Sequence, residues 1–377
     1  MESSLRHKQL RELIEKRRLK CGDKEAIVSG VDINKQFIPT RANLEETDIS
    51  KYYLVPPHHF ACNLMHIGRD ERLPIAYNHT TDDLVVTSAY YVFRVKEKCT
   101  DEIIDEYLYI FFNCSETDRL TWFFTDSSVR GNLSESRFLD IEIPLPSIEE
   151  QRKVVNAWRA LREIKFQNEK KADPLMQVCQ SYIQELKHKY PMQEIGSYIE
   201  EYDERNDNGT YSIDDVRGIS IEKKIIDTKA NMEGVKLNPY KVFRSGTFCY
   251  VTITSRNGNK ITLALNQNDC NYIVSSSYVT FRVREEKELI PEFLHLWFCR
   301  PEYDRYARFN SWGSAREAFS FEEMKRTKVP LPPIEVQRAI VNIYNCAKEA
   351  KQIAAEADRI SRDVCPMLLQ HVINQAL

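Results

Sequence analysis

Apolar residues recur at alternating spacings of three and four over two long stretches of the chain. In the later stretch Val336, Ala339, Ile343, Cys346, Ala350, Ile353, Ala357, Ile360, Val364 and Met367 hold that rhythm. In the earlier one Val154, Trp158, Leu161, Leu175, Cys179, Tyr182 and Leu186 do the same, and Lys165, Asn168 and Ala172 weaken its middle. A seam of this kind predicts a long helix that needs a partner helix. Two helices of about 40 residues, each serving as the other's partner, predict a coiled-coil rod on the order of 60 Å long. Each opens just after a Pro-Leu-Pro, with Glu149 and Glu150 or Glu335 in the first turn. Carboxylates suit the positive end of the helix dipole there. Pro174 and Pro366 are expected to kink the two helices.

A strand-rich block precedes each long helix. Residues 85–95 and 273–283 are β-branched and aromatic and read as strands. Residues 103–112 and 291–298 read as one helix per block. The run RNGNK at 256–260 lies between two apolar runs, and its Asn-Gly predicts a hairpin turn with basic residues at the tip. The N-terminal stretch to Lys20 carries seven Lys/Arg against three Glu. It reads as an amphipathic helix with Leu10, Leu13 and Ile14 on the apolar side.

The two halves of the chain follow one plan. IPLPSIEEQRKVV at 143–155 is matched by VPLPPIEVQRAIV at 329–341, 186 residues later. VSGVDINKQFIPTRAN at 28–43 faces VRGISIEKKIIDTKAN at 216–231, and VVTSAYYVFRVKEK at 85–98 faces IVSSSYVTFRVREE at 273–286. DEYLYIFFN at 105–113 faces PEFLHLWFC at 291–299, and residues 9–16 face 194–201. Five segments in one register establish an internal duplication. The loop matching 256–260 is Gly68 to Arg72.

Composition narrows the class. At 377 residues, 42% hydrophobic and 29% charged, the chain supports two or three folded cores and is neither a disordered tail nor a disulfide scaffold. No apolar run suits a membrane span, and the N-terminus does not read as a signal peptide. Ten cysteines without regular spacing are expected to be reduced thiols in a cytoplasmic protein. His58, Cys62 and His66 are spaced for one face of a helix, but Pro56-Pro57 argues against a helix there, and no metal is expected. The net charge of −3 means that any nucleic-acid surface is local.

A Pro-Leu-Pro followed by Glu-x-Gln-Arg at the head of a long helix occurs at 143–152 and again at 329–338. On that motif and its duplicated setting, the whole chain resembles the specificity subunit of a type I restriction–modification enzyme. It departs at Val336, which faces Glu150, and at Arg11, which faces Gly196. The resemblance implies an α+β fold. Two similar mixed α/β target recognition domains are separated by an antiparallel pair of long coiled-coil helices, in a pseudo-two-fold repeat. The corresponding divisions are residues 1–145 and 191–331 for the recognition domains, and 146–190 and 332–377 for the spacer helices.

The resemblance also implies a chain that is not itself an enzyme. It would read a bipartite sequence in double-stranded DNA, one half-site per domain, and position two adenine methyltransferase subunits and the restriction (motor nuclease) subunits. No cofactor is expected on this chain. S-adenosylmethionine, ATP and Mg are expected on the partner subunits only. Phosphate contacts give affinity and base edges give sequence, with Arg suited to guanine and Asn to adenine. The candidate DNA contacts are Lys35, Arg41, Arg69, Arg72 and Arg130 in the first copy. In the second they are Lys223, Lys229, Arg256, Asn257, Lys260 and Arg316.

Rival readings are an enzyme, a two-headed scaffold without DNA contact, and the specificity chain of a fused restriction–methylation enzyme. Asn238-Pro239-Tyr240 lacks a proline of the methyltransferase loop, and no Gly-rich methyl-donor loop accompanies it. Glu323-Met324-Lys325 has a nuclease spacing, but Arg137, Phe138 and Leu139 take those places in the first copy. No Walker loop is present.

Overall fold

The computed structural model describes residues 6–22, 27–40, 44, 47–65, 67–126, 131–254, 260–314 and 316–375, without the side chains of Arg69 and Gln375. The chain divides into two compact units: Met1–Asn168 with Gln352–Leu377, and Glu169–Lys351. The division passes through both long helices, Ile148–Lys189 and Ile334–Gln375. Each helix runs on through its proline, Pro174 or Pro366.

In the first unit, strands Ile14–Arg17, Tyr91–Val95, Phe60–Cys62 and Ile75–Tyr77 form an antiparallel sheet in that order. A second sheet holds Phe37–Pro39, Ile27–Val31, Leu84–Val86 and Tyr53–Val55, with one parallel pairing between Ile27–Val31 and Leu84–Val86. Helices Asp105–Phe112, Ser115–Phe123 and Glu135–Leu139 follow. Phe60 and Phe93 stack at 4.8 Å in the core, beside buried Tyr107, Phe112 and Phe138.

The second unit repeats this order. Ile199–Tyr202, Tyr278–Val283, Phe248–Val251 and Leu263–Leu265 form the matching sheet, and Phe248 stacks on Phe281 at 4.8 Å. Helices Pro291–Phe298, Pro301–Phe309 and Phe321–Lys325 match those of the first unit. The ring stack recurs because both members of each pair face inward from neighbouring strands.

Three expectations are corrected. The runs 85–95 and 273–283 are each two strands, broken by turns closed by Tyr90 N–H to Thr87 O and Tyr278 N–H to Ser275 O. The polar residues between them favour the turn. The N-terminal stretch is not a helix but strand Arg6–Gln9, a single turn Leu10–Leu13, and strand Ile14–Arg17. Ladders to Glu142–Leu145 and Tyr91–Val95 override its helical spacing. Its cations are also largely paired: Lys8 with Glu102 at 2.5 Å, Lys16 with Glu135 at 2.5 Å, and Arg11 with Asp140.

The third correction concerns the helical seam. Ala339, Cys346, Ile353, Val364 and Met367 are exposed. The buried stripe is Ile340, Ala347, Ala350, Ala354, Ala357, Cys365 and Leu369. Of the expected seam, Ala350 and Ala357 do turn inward, joined by Ala347 and Ala354, whose small side chains let two helix backbones approach. Within the first unit the helices run antiparallel, with Lys165 bonded to Asp358 at 2.8 Å and Trp158 sharing a cluster with Cys365 and Leu369. Within the second, Asp173 meets Lys351 at 3.2 Å and the Cys179 thiol faces the Ile340 carbonyl.

Candidate nucleic-acid interface

The Glu-x-Gln-Arg motif fastens each long helix to its domain. Gln151 is fully buried. Its Oε1 accepts from Ile104 N–H at 3.0 Å, and its Nε2 donates to Glu102 O at 2.9 Å and Pro146 O at 3.0 Å. Gln337 makes the same three bonds, to Ile290 N–H at 2.9 Å, Glu288 O at 2.9 Å and Pro332 O at 3.0 Å. One amide side chain thereby satisfies three backbone groups at the helix–domain junction.

From that base each unit brings the same two loop regions together. In the first, Leu133 N–H donates to Leu64 O at 2.8 Å and Gly68 N–H to Gly131 O at 3.1 Å. Gly131 has φ +56°, and a Cβ there would lie 2.4 Å from the Gly68 Cα, so glycine is required. In the second unit, Phe319 N–H donates to Thr252 O at 2.8 Å and Thr254 N–H to Glu317 O at 3.0 Å. Leu64 matches Thr252 and Leu133 matches Phe319 in the repeat. The segment leading to the 68–72 or 256–260 loop is therefore joined to the segment after Arg130 or Arg316.

The candidates divide into three groups. Arg72, Lys229, Lys260 and Arg316 are exposed. Lys260 pairs with Glu222 at the surface, at 2.7 Å. Arg41, Arg130, Arg256 and Asn257 lie outside the described residues. Arg69 has its backbone in the short helix Ile67–Asp70, and its side chain is outside the description.

Lys35 and Lys223 are corrected as DNA contacts, because both are buried. Lys35 Nζ donates to Asp118 at 2.6 Å and to the Phe112 carbonyl, and Lys223 Nζ donates to Asp304 at 2.6 Å. Burial pulls the Lys35 ammonium below its ordinary pKa, against the raising effect of the Asp118 carboxylate.

Comparison with known proteins settles the family. The type I restriction modification DNA specificity domain matches this chain over residues 73–173 and 193–346. The chain belongs to that family. It is similar to the type I restriction enzyme EcoBI specificity subunit of Escherichia coli, 34% identical over 80 residues. That alignment covers 21% of this chain and only 16% of the E. coli protein. The fold is like that of the type I restriction–modification S subunit from M. genitalium, with a TM-score of 0.62, 11% identity, and 97% and 96% of the two chains covered. The HsdS subunit from Thermoanaerobacter tengcongensis matches at TM-score 0.40 and 16% identity, over 99% of this chain and 97% of that one.

A type I specificity subunit carries DNA recognition within its restriction–modification system. In this chain two surface features escaped sequence reasoning. Phe123 and Phe309, at the same place in the repeat, are 79% and 77% exposed at the ends of helices Ser115–Phe123 and Pro301–Phe309. Trp312 is 64% exposed and bridges to Ala318 beside Arg316. The repeat alignment pairs Phe123 with Phe309, but only the fold shows that both face outward.

His58 sits at φ +63° after Pro56-Pro57, and Cys62 ends a buried strand. The helical spacing between them is therefore not formed, and His66 lies outside the described residues. Among the described residues no helix is long and apolar enough to cross a membrane.

Proposed function

We propose that each unit of this specificity subunit reads one half of a bipartite target in double-stranded DNA. One observation carries the reading: the two units build the same loop junction, Leu64 with Leu133 and Thr252 with Phe319, from different side chains. One backbone frame used twice suits two half-sites of similar geometry, and different side chains on it allow different sequences. Arg72, Lys260 and Arg316 are exposed basic residues on or beside these joined loops, and Lys229 is an exposed basic residue after strand Ile225–Asp227. Arg41, Arg69, Arg130, Arg256 and Asn257 are retained with them on sequence grounds. The gap between half-sites is proposed to follow the length of the two long helices.

The same reading assigns the partners. Val364, Met367 and Leu368 form an exposed apolar stripe on the first unit, and Val178 and Tyr182 form one on the second. Val178 matches Val364 and Tyr182 matches Leu368 in the repeat. Matched stripes suit two copies of one protein, and an adenine methyltransferase subunit is proposed for each, with the restriction subunits joining that assembly. S-adenosylmethionine, ATP and Mg are assigned to those partners, and catalysis with them.

The test is a domain exchange. Residues 191–331 are replaced by the same block of a relative with a different target, and the methylated motif of the assembled methyltransferase is mapped. One half of the motif is expected to change and the other to stay. A change in both halves would refute independent reading by the two units.

A further inference from the structure

The two buried lysines that are unsuited to touch DNA are placed to aim residues that are not buried. Lys35 and Lys223 occupy matched turns and share a left-handed backbone, with φ of 61° and 58°. Each reaches a matched aspartate, Asp118 or Asp304, on the second helix of its unit. The carboxylate oxygen that accepts the lysine hydrogen bond also accepts one from a backbone amide. Asp118 Oδ1 accepts from Leu73 N–H at 3.1 Å, and Asp304 Oδ1 accepts from Ile261 N–H at 3.1 Å. Leu73 and Ile261 directly follow Arg72 and Lys260, the exposed basic residues at the ends of the matched loops.

A buried ion pair is a poor device for stability alone. Removing two charges from water costs much of what their attraction returns, and apolar side chains fill such a space as well. Its advantage is direction, since a charged acceptor bonds an amide strongly and at fixed geometry. Side-chain exposures of 5% and 13% for Lys35 and Asp118, and of 6% and 11% for Lys223 and Asp304, keep water from competing for that bond. The arrangement is present in both units although the loops it serves differ in sequence. The Lys260–Glu222 pair lies at the surface, where such pairs are weak and cost little to give up.

We infer that Asp118 and Asp304, each held by its buried lysine, are positioning residues that fix Arg72 and Lys260 in the orientation used to read DNA. This rests on the two-unit DNA reading above.

The test uses the full chain assembled with its methyltransferase subunit. Two variants share Lys223→Met, which removes the buried cation. Asp304→Asn keeps an oxygen for the Ile261 amide, and Asp304→Leu removes it. Hydrogen exchange at Ile261 is expected to rise about tenfold or more in the Leu variant and by a clearly smaller factor in the Asn variant, which keeps a neutral acceptor. The methylated motif is expected to become degenerate in one half only with Leu, and to be less affected with Asn. The unaltered Lys35–Asp118 pair serves as the control for the other half.

A Leu variant that keeps the wild-type motif overturns the inference. So does equal loss in both halves, or an Asn variant as impaired as the Leu variant, since either result would mean general destabilisation. A wild-type chain that yields no split motif refutes the underlying DNA reading instead, and that result is visible without any variant.

Discussion

Gln337 and Ile290, 47 residues apart, are joined by a 2.9 Å hydrogen bond from the Ile290 amide to Gln337 Oε1. The bond recurs between Gln151 and Ile104. It explains why glutamine stands in both copies of the Glu-x-Gln-Arg motif: the side chain offers one acceptor and two donors at a junction with one free amide and two free carbonyls. Gln337→Ala would leave all three unpaired inside the protein. A loss of about 2–4 kcal/mol from the stability of the second unit is expected. Hydrogen exchange in residues 288–290 and thermal unfolding both read it, and unchanged values would contradict the assignment.

A pH effect is expected at Asp105 in the first unit. Burial, reinforced by the neighbouring Glu106, pushes its carboxyl up to about 6. The folded protein thus holds this proton more tightly than the unfolded chain does. The group's stability contribution is complete below the ordinary carboxylate range and is lost as pH rises through about 6. Asp105→Asn is expected to stabilise the first unit by about 1–2 kcal/mol at pH 7.5 and to give no gain at pH 4. Denaturant titration at the two pH values checks this, and equal effects at both would contradict it.

The outward apolar stripes make a stoichiometric prediction. Val364→Asp with Leu368→Asp should remove one methyltransferase subunit, and Val178→Asp with Tyr182→Asp the other. Native mass spectrometry of each variant is expected to show one bound copy, and of the combined variant none. Two copies retained by both double variants would place the docking surface elsewhere.

Phosphate contacts predict a salt signature. If Arg316 and Arg72 each neutralise one phosphate, Arg316→Ala or Arg72→Ala should reduce the slope of log affinity against log salt by about 1 in the assembled complex. Fluorescence titration across a salt series measures it. An unchanged slope would take that residue out of the interface.

How far these features were legible in the sequence depends on how local they are. The duplication, the two long helices and one of the three matched shorter helices of each unit follow from periodicity and self-similarity, which are properties of the chain itself. The inward face of the helices does not. Ala350 and Ala357 of the expected seam are buried, but Ile353, Val364 and Met367 are more hydrophobic than the buried Ala347 and Ala354, so hydropathy alone selects a stripe that is only partly right. Close backbone approach decides the matter, and only the paired fold shows it. Lys35 and Lys223 were misread for a related reason. A lysine in a turn is ordinarily solvated, and its burial depends on an aspartate 83 or 81 residues away. The role of the motif glutamine was hidden in the same manner, since its partners lie 47 to 49 residues upstream as well as in the adjacent turn.

The central claim, that the two units read two separated half-sites, is tested most directly by a methylome. The chain is co-expressed with its methyltransferase subunit in a host without adenine methylation, and modified adenines are mapped by long-read sequencing. The expected result is a split motif with a fixed gap that disappears when this chain is omitted. A well-formed complex that methylates nothing, or that methylates one continuous motif, would contradict it.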